Sequence, residues 1–280
     1  MRDDELRRLL EAFQRGEVDL DHVLRVLRTA PVVELTNATV DVHRAIRCGF
    51  PEVVFCQGKR PEWVVEIVRS LRNAGQTCLC TRVPDDVAET VLGTFPDMEH
   101  NALARTLRWL PQPPERAGVV AVVCAGTSDL PVAEEARVTA ETIGTEVRML
   151  VDVGVAGIHR LLRHTEALAD ADAIVVVAGM EGALPSVVGG LVGCPVIGVP
   201  TSVGYGAHLS GLTPLHAMLT SCASNVAVVN VDSGFNGGFV AALIARRIGL
   251  VRRQLEELRK RLEPAEGTAS ENTRAQEGDD

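Results

Sequence analysis

Aromatic side chains, long apolar runs and a surplus of basic residues are scarce or missing in this chain of 280 residues. Aromatics make up only 3 %, and no uninterrupted apolar run reaches the roughly 18 residues of a membrane span. The opening MRDDELRRLL has charges of both signs instead of the apolar core of a signal peptide. The 28 basic and 37 acidic residues give a net charge of −9, which argues against a general nucleic-acid footprint. We therefore expect a cytoplasmic protein that binds neither a membrane nor nucleic acid.

A cysteine framework is missing as well. The seven cysteines are spread along the chain and none forms a Cys-x-x-Cys pair, so neither disulfides nor a structural zinc site is expected. Cys78 and Cys80 would point to one face of a strand. We interpret both as core residues because no second ligand pair follows them.

Five aliphatic runs dominate the second half of the chain. They cover residues 119–124, 146–151, 173–178, 195–199 and 226–231, and helical spacings separate them. Strands that alternate with helices in this way form a parallel sheet with helices on both faces. The sequence therefore predicts a three-layer, flavodoxin-like α/β domain over residues 117–262.

The first half of the chain has a different pattern. Residues 1–30 predict a helical arm, and residues 31–110 predict a smaller α/β domain that begins with strand, helix and strand. The proline-rich stretch 111–116 interrupts the pattern, so we place a linker there. Residues 263–280 are rich in acidic residues and lack apolar periodicity, which indicates a disordered tail.

Polar residues accompany glycines after each of the five aliphatic runs. Parallel sheets bind ligands at the carboxyl ends of their strands, so these residues are candidates for a small-molecule site. They are Ser128 and Asp129 after the first run, His159 and Arg160 after the second, Glu181 after the third, Thr201 after the fourth, and Asn230 and Asp232 after the fifth.

The residue types indicate what these loops can do. Ser128 and Asp129 can cap a helix, bind a phosphate, or do both. His159 can move protons near neutral pH, and Arg160 can hold a phosphate or a carboxylate. Glu181 lies in a glycine-flanked turn and is a candidate base or an acid beside a metal.

Cys222 lies between a predicted helix and the fifth run, and two interpretations stay open. It is either a small core residue or a nucleophile that a nearby cation or helix end activates. Neither a Gly-x-x-x-x-Gly-Lys-Ser loop nor a Gly-x-Gly-x-x-Gly fingerprint is present. A kinase and a hydride-transfer dehydrogenase are therefore disfavoured.

Several of these motifs resemble the aminoimidazole ribonucleotide carboxylase/mutase (PurE) family over roughly residues 117–245. They are Gly126-Thr-Ser-Asp129, His159-Arg160, the turn at 178–185 and Pro195-Val-Ile-Gly-Val-Pro200. In that family a Ser-Asp pair and a His-Arg pair bind the ribotide while a carboxyl group is moved. The family's Gly-Ala-Ala-His-Leu-Pro loop is replaced here by Glu181-Gly-Ala-Leu-Pro185, which lacks the histidine.

These departures match a sister family, the pyridinium-3,5-biscarboxylic acid mononucleotide synthases (LarB) of nickel-pincer cofactor assembly. The chain is similar to that family from Asp41 to Ile248. The matching stretches are 49–55, Gly58-Lys59, Thr81-Arg82, 152–159, 179–190, 200–206, Ser221-Cys-Ala223 and 228–230. Asn225 and Ser233 stand where that family's pattern has Gly and Asn.

The resemblance implies a fold and a reaction. The fold is a PurE-like catalytic domain preceded by the smaller domain, assembled as a homo-oligomer. The substrate would be nicotinic acid adenine dinucleotide, which carbon dioxide, supplied as such or as bicarbonate, carboxylates at C5 of the pyridinium ring. Hydrolysis of the phosphoanhydride would then release the dicarboxylated mononucleotide and AMP.

The resemblance also implies roles for individual residues. Cys222 would be the nucleophile, and Glu181 and His159 are candidates for proton transfer. Substrate groups would be bound by Ser128, Asp129, Arg160, Thr201 and Asn230, and the adenylate half by Arg44, Lys59 and Arg82. Mg²⁺ would assist the hydrolysis, with Asp232 as a candidate ligand, and no organic cofactor is implied. The alternatives are an aminoimidazole ribonucleotide carboxylase/mutase and a non-catalytic nucleotide-binding module.

Overall fold

The computed structural model describes residues 3–29, 32–42, 44 and 49–262, and the predicted acidic tail at 263–280 lies outside these ranges. Two helices, α1 (Asp3–Gln14) and α2 (Leu20–Thr29), form the N-terminal arm. Asp19 caps the amino terminus of α2, because its Oδ1 accepts the His22 backbone N–H at 2.6 Å.

A small mixed sheet follows the arm. The two short strands β1 (Val33–Glu34) and β2 (Thr39–Val40) pair with each other. The sheet itself has the order β3-β4-β6-β5, with β3 (Val53–Phe55), β4 (Cys78–Thr81), β5 (Glu99–Asn101) and β6 (Thr106–Trp109). Helix α3 (Pro61–Asn73) joins the parallel strands β3 and β4, and α4 (Asp85–Thr94) follows β4.

Two features of this sheet bear on the sequence analysis. Cys78 and Cys80 are fully buried in β4, which confirms that they are core residues. The antiparallel pair β5–β6 was not predicted, because β5 consists of polar residues and has no apolar alternation.

The five aliphatic runs form a parallel sheet in the second half of the chain. Its strands are β7 (Val119–Cys124), β8 (Glu146–Leu150), β9 (Ala173–Ala178), β10 (Val196–Pro200) and β11 (Val226–Val228). The spatial order is β8-β7-β9-β10-β11 and all neighbours are parallel. This is the flavodoxin-like order, and its strand ends on one edge form the expected ligand site.

Helices cover both faces of the parallel sheet, as predicted. One face carries α5 (Leu130–Ile143) and α10 (Gly234–Leu262), and the other carries α6 (Ile158–Leu162), α7 (Thr165–Ala169), α8 (Leu184–Gly189) and α9 (Leu212–Leu219). Ala136 and Ala245 are fully buried between α5, α10 and the sheet, where small side chains allow close packing.

The smaller domain packs on the face formed by α5 and α10. Leu79 and Ala104 of the smaller domain cluster with Val138 of α5. The ring of Phe50 meets the ring of Phe239 edge to face, with centroids 5.4 Å apart.

Helix α10 is the one helix of the described chain that is long and apolar enough to cross a membrane by length and composition. Its first half belongs to the core, where Ala241, Ala242 and Ala245 are fully buried. That the protein binds no membrane stays a prediction.

Candidate functional site

A cleft of about 470 Å³ opens at the carboxyl edge of the parallel sheet. It is formed by the loops that follow β7, β8, β9 and β10. Its polar and ionisable lining consists of Ser128, Asp129, Asp152, Arg160, Glu181 and Tyr205. The cleft thus lies at the place the sequence predicts for a ligand.

Asp129 ties three of these loops together. Its carboxylate accepts the Thr201 hydroxyl at 2.6 Å, the Gly126 backbone N–H at 3.0 Å and the backbone N–H of Gly179. These donors follow β10, β7 and β9, respectively. Only 4 % of Asp129 is exposed, and burial raises the pKa of its carboxyl although the hydrogen bonds act to lower it. One buried carboxylate therefore fixes the loops and lines the cleft at the same time.

Arg160 forms an ion pair with Asp152 in the loop region after β8. Arg160 Nη1 donates to Asp152 Oδ2 at 2.5 Å, and both side chains remain partly exposed. The guanidinium lies so close to Gly157 that a Cβ there would be 2.6 Å from Arg160 Nε. An anionic ligand group can share or replace the Asp152 carboxylate at this guanidinium.

Glu181 lies in a tight turn directly after β9. Met180 has a φ of +52° and Gly182 a φ of +67°. A Cβ on Gly182 would lie 2.6 Å from Pro214 Cα, so only glycine fits this turn. The Met180 backbone N–H donates to the Val203 carbonyl at 3.0 Å, which joins the turn to the loop after β10. Glu181 is exposed and lines the cleft from this turn.

Thr201 and Asp232 support the loop after β10 from behind the cleft. Thr201 is fully buried and bonds Asp129. Asp232 Oδ1 accepts the Ser202 backbone N–H at 2.7 Å, and the Asp232 backbone N–H donates to the Pro200 carbonyl at 2.8 Å. Neither residue is part of the cleft lining.

Two further predicted residues lie near the strand ends without lining the cleft. His159 is exposed and precedes Arg160 on α6. Asn230 is exposed as well, and its Oδ1 accepts the Val231 backbone N–H at 2.8 Å.

Cys222 is exposed, so its interpretation as a core residue is wrong. It lies in the loop between α9 and β11, before the strand begins. Asn225 of the same loop donates from Nδ2 to the Val192 carbonyl at 3.1 Å and the Cys194 carbonyl at 3.0 Å, both of which precede β10. The loop therefore contacts the amino-terminal side of these strands, whereas the cleft lies at their carboxyl ends. Within one chain, Cys222 does not line the cleft.

The three predicted cations of the smaller domain do not line the cleft either. Arg44 is exposed, and Lys59 is half-buried with its ammonium hydrogen-bonded to the Phe55 carbonyl. The Arg82 guanidinium contacts Glu135 and the backbone carbonyl of Asp232, both of which belong to the carboxyl-terminal half of the chain.

Sequence reasoning did not select Asp152, Tyr205 or Glu135. The signal for Asp152 is its position directly after the second run, and Tyr205 is the only tyrosine in the chain. Glu135 lies in the middle of a helix that also carries Glu134 and Glu141. No sequence pattern distinguishes this buried carboxylate from its neighbours.

Comparisons with known proteins divide the chain into two family domains. Residues 32–111 match the LarB/PurE-like N-terminal domain, and residues 119–270 match AIR carboxylase. An uncharacterized protein of Methanocaldococcus jannaschii is 40 % identical over 252 residues, which covers 86 % of this chain and 97 % of that protein. A crystal structure of a Treponema denticola PurE2 variant aligns with 54 % of this chain and 99 % of its own, at 17 % identity and a TM-score of 0.34.

Proposed function

Because the chain belongs to the AIR carboxylase family and carries a LarB/PurE-like N-terminal domain, we propose that it carboxylates nicotinic acid adenine dinucleotide. Carbon dioxide adds at C5 of the pyridinium ring, and hydrolysis of the phosphoanhydride gives pyridinium-3,5-biscarboxylic acid mononucleotide and AMP. Family membership makes the chain a carboxylase-type enzyme. The observation that carries the finer proposal is the union of both domains in one chain.

The proposed reaction needs a nucleophile, because an electron-poor pyridinium ring does not attack carbon dioxide. The Cys222 thiolate adds to C4, and the resulting enamine forms a carbon–carbon bond from C5 to carbon dioxide. A base then removes the C5 proton. The electron pair of that bond expels the thiolate and restores the aromatic ring, so that a carboxylate has replaced one proton.

Glu181 is the better candidate for this base. Its carboxylate lines the cleft, whereas His159 does not. The turn at Met180 and Gly182 holds the carboxylate at a strand end, where a substrate ring in the cleft comes within reach. We assign proton transfer to Glu181 and keep His159 as the alternative.

Substrate anions have two candidate contacts in the cleft. Arg160 offers its guanidinium to a phosphate or the nicotinate carboxylate, and Ser128 adds an exposed hydroxyl. Asp129 and Thr201 act on the substrate through the loops that they fix. Asn230 is left as a candidate at the edge of the site.

Mg²⁺ does not fit the residues as a protein-held ion. Among the described residues, no group of three or more His, Cys, Asp and Glu could hold a metal. Asp232 already accepts the Ser202 backbone N–H. An ion used in hydrolysis would therefore take most of its ligands from substrate phosphates and water, and we derive no step through it.

The position of Cys222 bears on the assembly of the site. Because this thiol is exposed and does not line the cleft of its own chain, the proposed chemistry needs a second copy. We propose a homo-oligomer in which the Cys222 loop of one protomer covers the cleft of its partner. This arrangement also shields the reacting ring from water.

The role of Cys222 is tested by the carboxylation of nicotinic acid adenine dinucleotide in Cys222→Ala. We expect that this variant forms no carboxylated product. Cys194→Ala is the matched control, since Cys194 lies outside the cleft, and it should keep the wild-type rate. A Cys222→Ala protein that carboxylates at the wild-type rate contradicts the proposed reaction.

Co-expression of Cys222→Ala with Glu181→Gln tests the shared site. Each variant alone is inactive, but a randomly mixed oligomer restores about one quarter of the sites if Cys222 and Glu181 come from different chains. A mixture without activity means that both residues act within one chain.

The aminoimidazole ribonucleotide carboxylase remains the second candidate. The match of residues 119–270 to AIR carboxylase favours it, and the loop at Glu181, which lacks a histidine, argues against it. Incubation with aminoimidazole ribonucleotide and bicarbonate separates the two reactions. Absence of turnover with either substrate would favour a nucleotide-binding module.

A further inference from the structure

Arg82 connects the smaller domain to the carboxylase domain through two hydrogen bonds. It follows β4 directly and has a φ of +51°. Its Nε donates to Glu135 Oε1 at 3.2 Å, and its Nη2 donates to the backbone carbonyl of Asp232. One guanidinium of the smaller domain thus holds helix α5 and the turn before α10 together.

From Asp232, hydrogen bonds continue into the cleft. The Asp232 carboxylate accepts the Ser202 backbone N–H at 2.7 Å. The next residue, Val203, lines the cleft, and its carbonyl accepts the Met180 backbone N–H at 3.0 Å. Met180 is adjacent to Glu181, so the path from Arg82 ends at the candidate base.

Glu135 keeps Arg82 in place. Its side chain is only 4 % exposed, and its Oε2 accepts the Phe235 backbone N–H at 3.1 Å. Burial raises the pKa of this carboxyl, and the Arg82 guanidinium opposes that effect. Arg105 also favours the charged carboxylate, but Arg82 is the guanidinium that hydrogen-bonds it, so the buried carboxylate fixes the position of Arg82.

We propose that Arg82 is a positioning residue through which the smaller domain sets the geometry of the carboxylase cleft. It holds the turn at Asp232, and Asp232 holds the loop after β10. This differs from the predicted contact of Arg82 with the adenylate half of the substrate, since both of its contacts are made within the chain. The proposal rests on the proposed function only for the substrate used in the activity assay.

Arg108 provides a matched control for Arg82. It also lies in the smaller domain and pairs with an acid of α5, with Nη1 3.5 Å from Glu141 Oε2, and it pairs with Glu99 at 2.6 Å. Within the part of the chain that the structure describes, neither Glu99 nor Glu141 has a hydrogen bond or ion pair to a cleft loop. Arg108→Met therefore weakens the interface between the domains but leaves the hydrogen bonds from Arg82 to Asp232 and from Ser202 to Asp232 in place.

Hydrogen exchange of the backbone amides in residues 201–205 tests the proposal without substrate. In Arg82→Met we expect the Ser202 amide to exchange about tenfold faster or more, because its acceptor Asp232 loses the hydrogen bond from Arg82 and keeps only its backbone bond to Pro200. Arg108→Met should exchange at the wild-type rate in this segment. Unchanged exchange in Arg82→Met, or an equal increase in both variants, would overturn the proposal.

The activity assay then separates binding from positioning. Arg82→Met should lower kcat for carboxylation by about tenfold with little change in KM. The reason is that the variant weakens the loops that position Glu181 and removes no contact with the substrate. Arg82→Lys keeps a positive charge beside Glu135 but cannot make both hydrogen bonds of the arginine. Its kcat and its rate of exchange at the Ser202 amide should therefore lie between those of the wild type and Arg82→Met. A rise in KM at constant kcat would indicate a substrate contact instead. If wild-type protein does not turn over the dinucleotide, the proposed function fails and the exchange result still decides the role of Arg82.

Discussion

Replacing Thr201 by valine removes the hydroxyl that donates to Asp129 Oδ1 at 2.6 Å and keeps nearly the same side-chain shape. Because this bond favours the charged carboxylate, its loss should raise the pKa of Asp129 beyond the increase that burial already causes. A hydrogen bond to a charged group contributes about 1.5–3 kcal/mol, so its loss destabilises the charged form of Asp129 by about that amount.

The direction of the pKa change sets the pH dependence of stability. The folded-state pKa of Asp129 is raised, so its contribution to stability is present below the pKa of the unfolded chain and is lost as the pH rises through the folded-state pKa. In Thr201→Val the folded-state pKa lies higher still. The destabilisation relative to wild type is therefore small where Asp129 is protonated in both proteins. It grows with pH and levels off above the variant's pKa.

Urea unfolding of both proteins between about pH 4 and pH 8 measures this difference. Thr139→Val is the matched control, since the Thr139 hydroxyl is equally buried but donates to a neutral group, the Glu135 backbone carbonyl, at 2.7 Å. We expect the control to lose about 1 kcal/mol at every pH. A loss in Thr201→Val that is constant across the pH range would refute the assignment of Asp129 as a buried, ionisable anchor of the loops.

Three further predictions concern the cleft and the cysteines. Iodoacetamide should label Cys222 and leave Cys124 unmodified in the folded protein, because Cys222 is exposed while burial raises the pKa of the Cys124 thiol to about 12. Peptide mapping that finds labelled Cys124 contradicts this prediction. Gly182→Ala should lower the carboxylation rate about tenfold or more, since a Cβ there meets backbone at 2.6 Å, whereas Gly190→Ala, with its nearest atom at 3.5 Å, should not. Arg160→Lys should raise KM for the substrate about tenfold at similar kcat, and an unchanged KM would remove Arg160 from substrate binding.

The parallel sheet could be predicted from the sequence because its central strands β7, β9 and β10 are buried on both faces. Such strands are continuous aliphatic runs, and four of the five agree with the structure to within one residue. The fifth strand, β11, ends at Val228 instead of residue 231. It is the edge strand, and all three of its residues are partly or fully exposed. Strand β5 escaped prediction because its residues Glu99, His100 and Asn101 are polar, and only its pairing with β6 makes it a strand.

Site residues could be predicted from the sequence only where they follow a strand of the parallel sheet, because the end of the strand then determines their position. Ser128, Asp129, Arg160 and Glu181 lie in the segments that follow β7, β8 and β9, and all four line the cleft. Contacts between distant parts of the chain have no such sequence signal. The bond of Arg82 to Asp232 spans 150 positions, and Glu135 is buried where it meets Arg82 and the start of α10.

The location of Cys222 could not be predicted from the sequence for a related reason. Its motif indicates chemistry, whereas its place in the sheet follows from strand direction. A residue before β11 lies at the opposite edge from residues after β10. A motif alone does not say whether the thiol lies at the cleft of its own chain.

Mass spectrometry of the protein incubated with nicotinic acid adenine dinucleotide, Mg²⁺ and ¹³C-bicarbonate is the decisive test of the proposed carboxylation. We expect a dicarboxylated pyridinium mononucleotide that carries one ¹³C atom, together with unlabelled AMP. A parallel reaction contains aminoimidazole ribonucleotide in place of the dinucleotide. Label that enters only the aminoimidazole product, with none in a pyridinium product, would contradict the account.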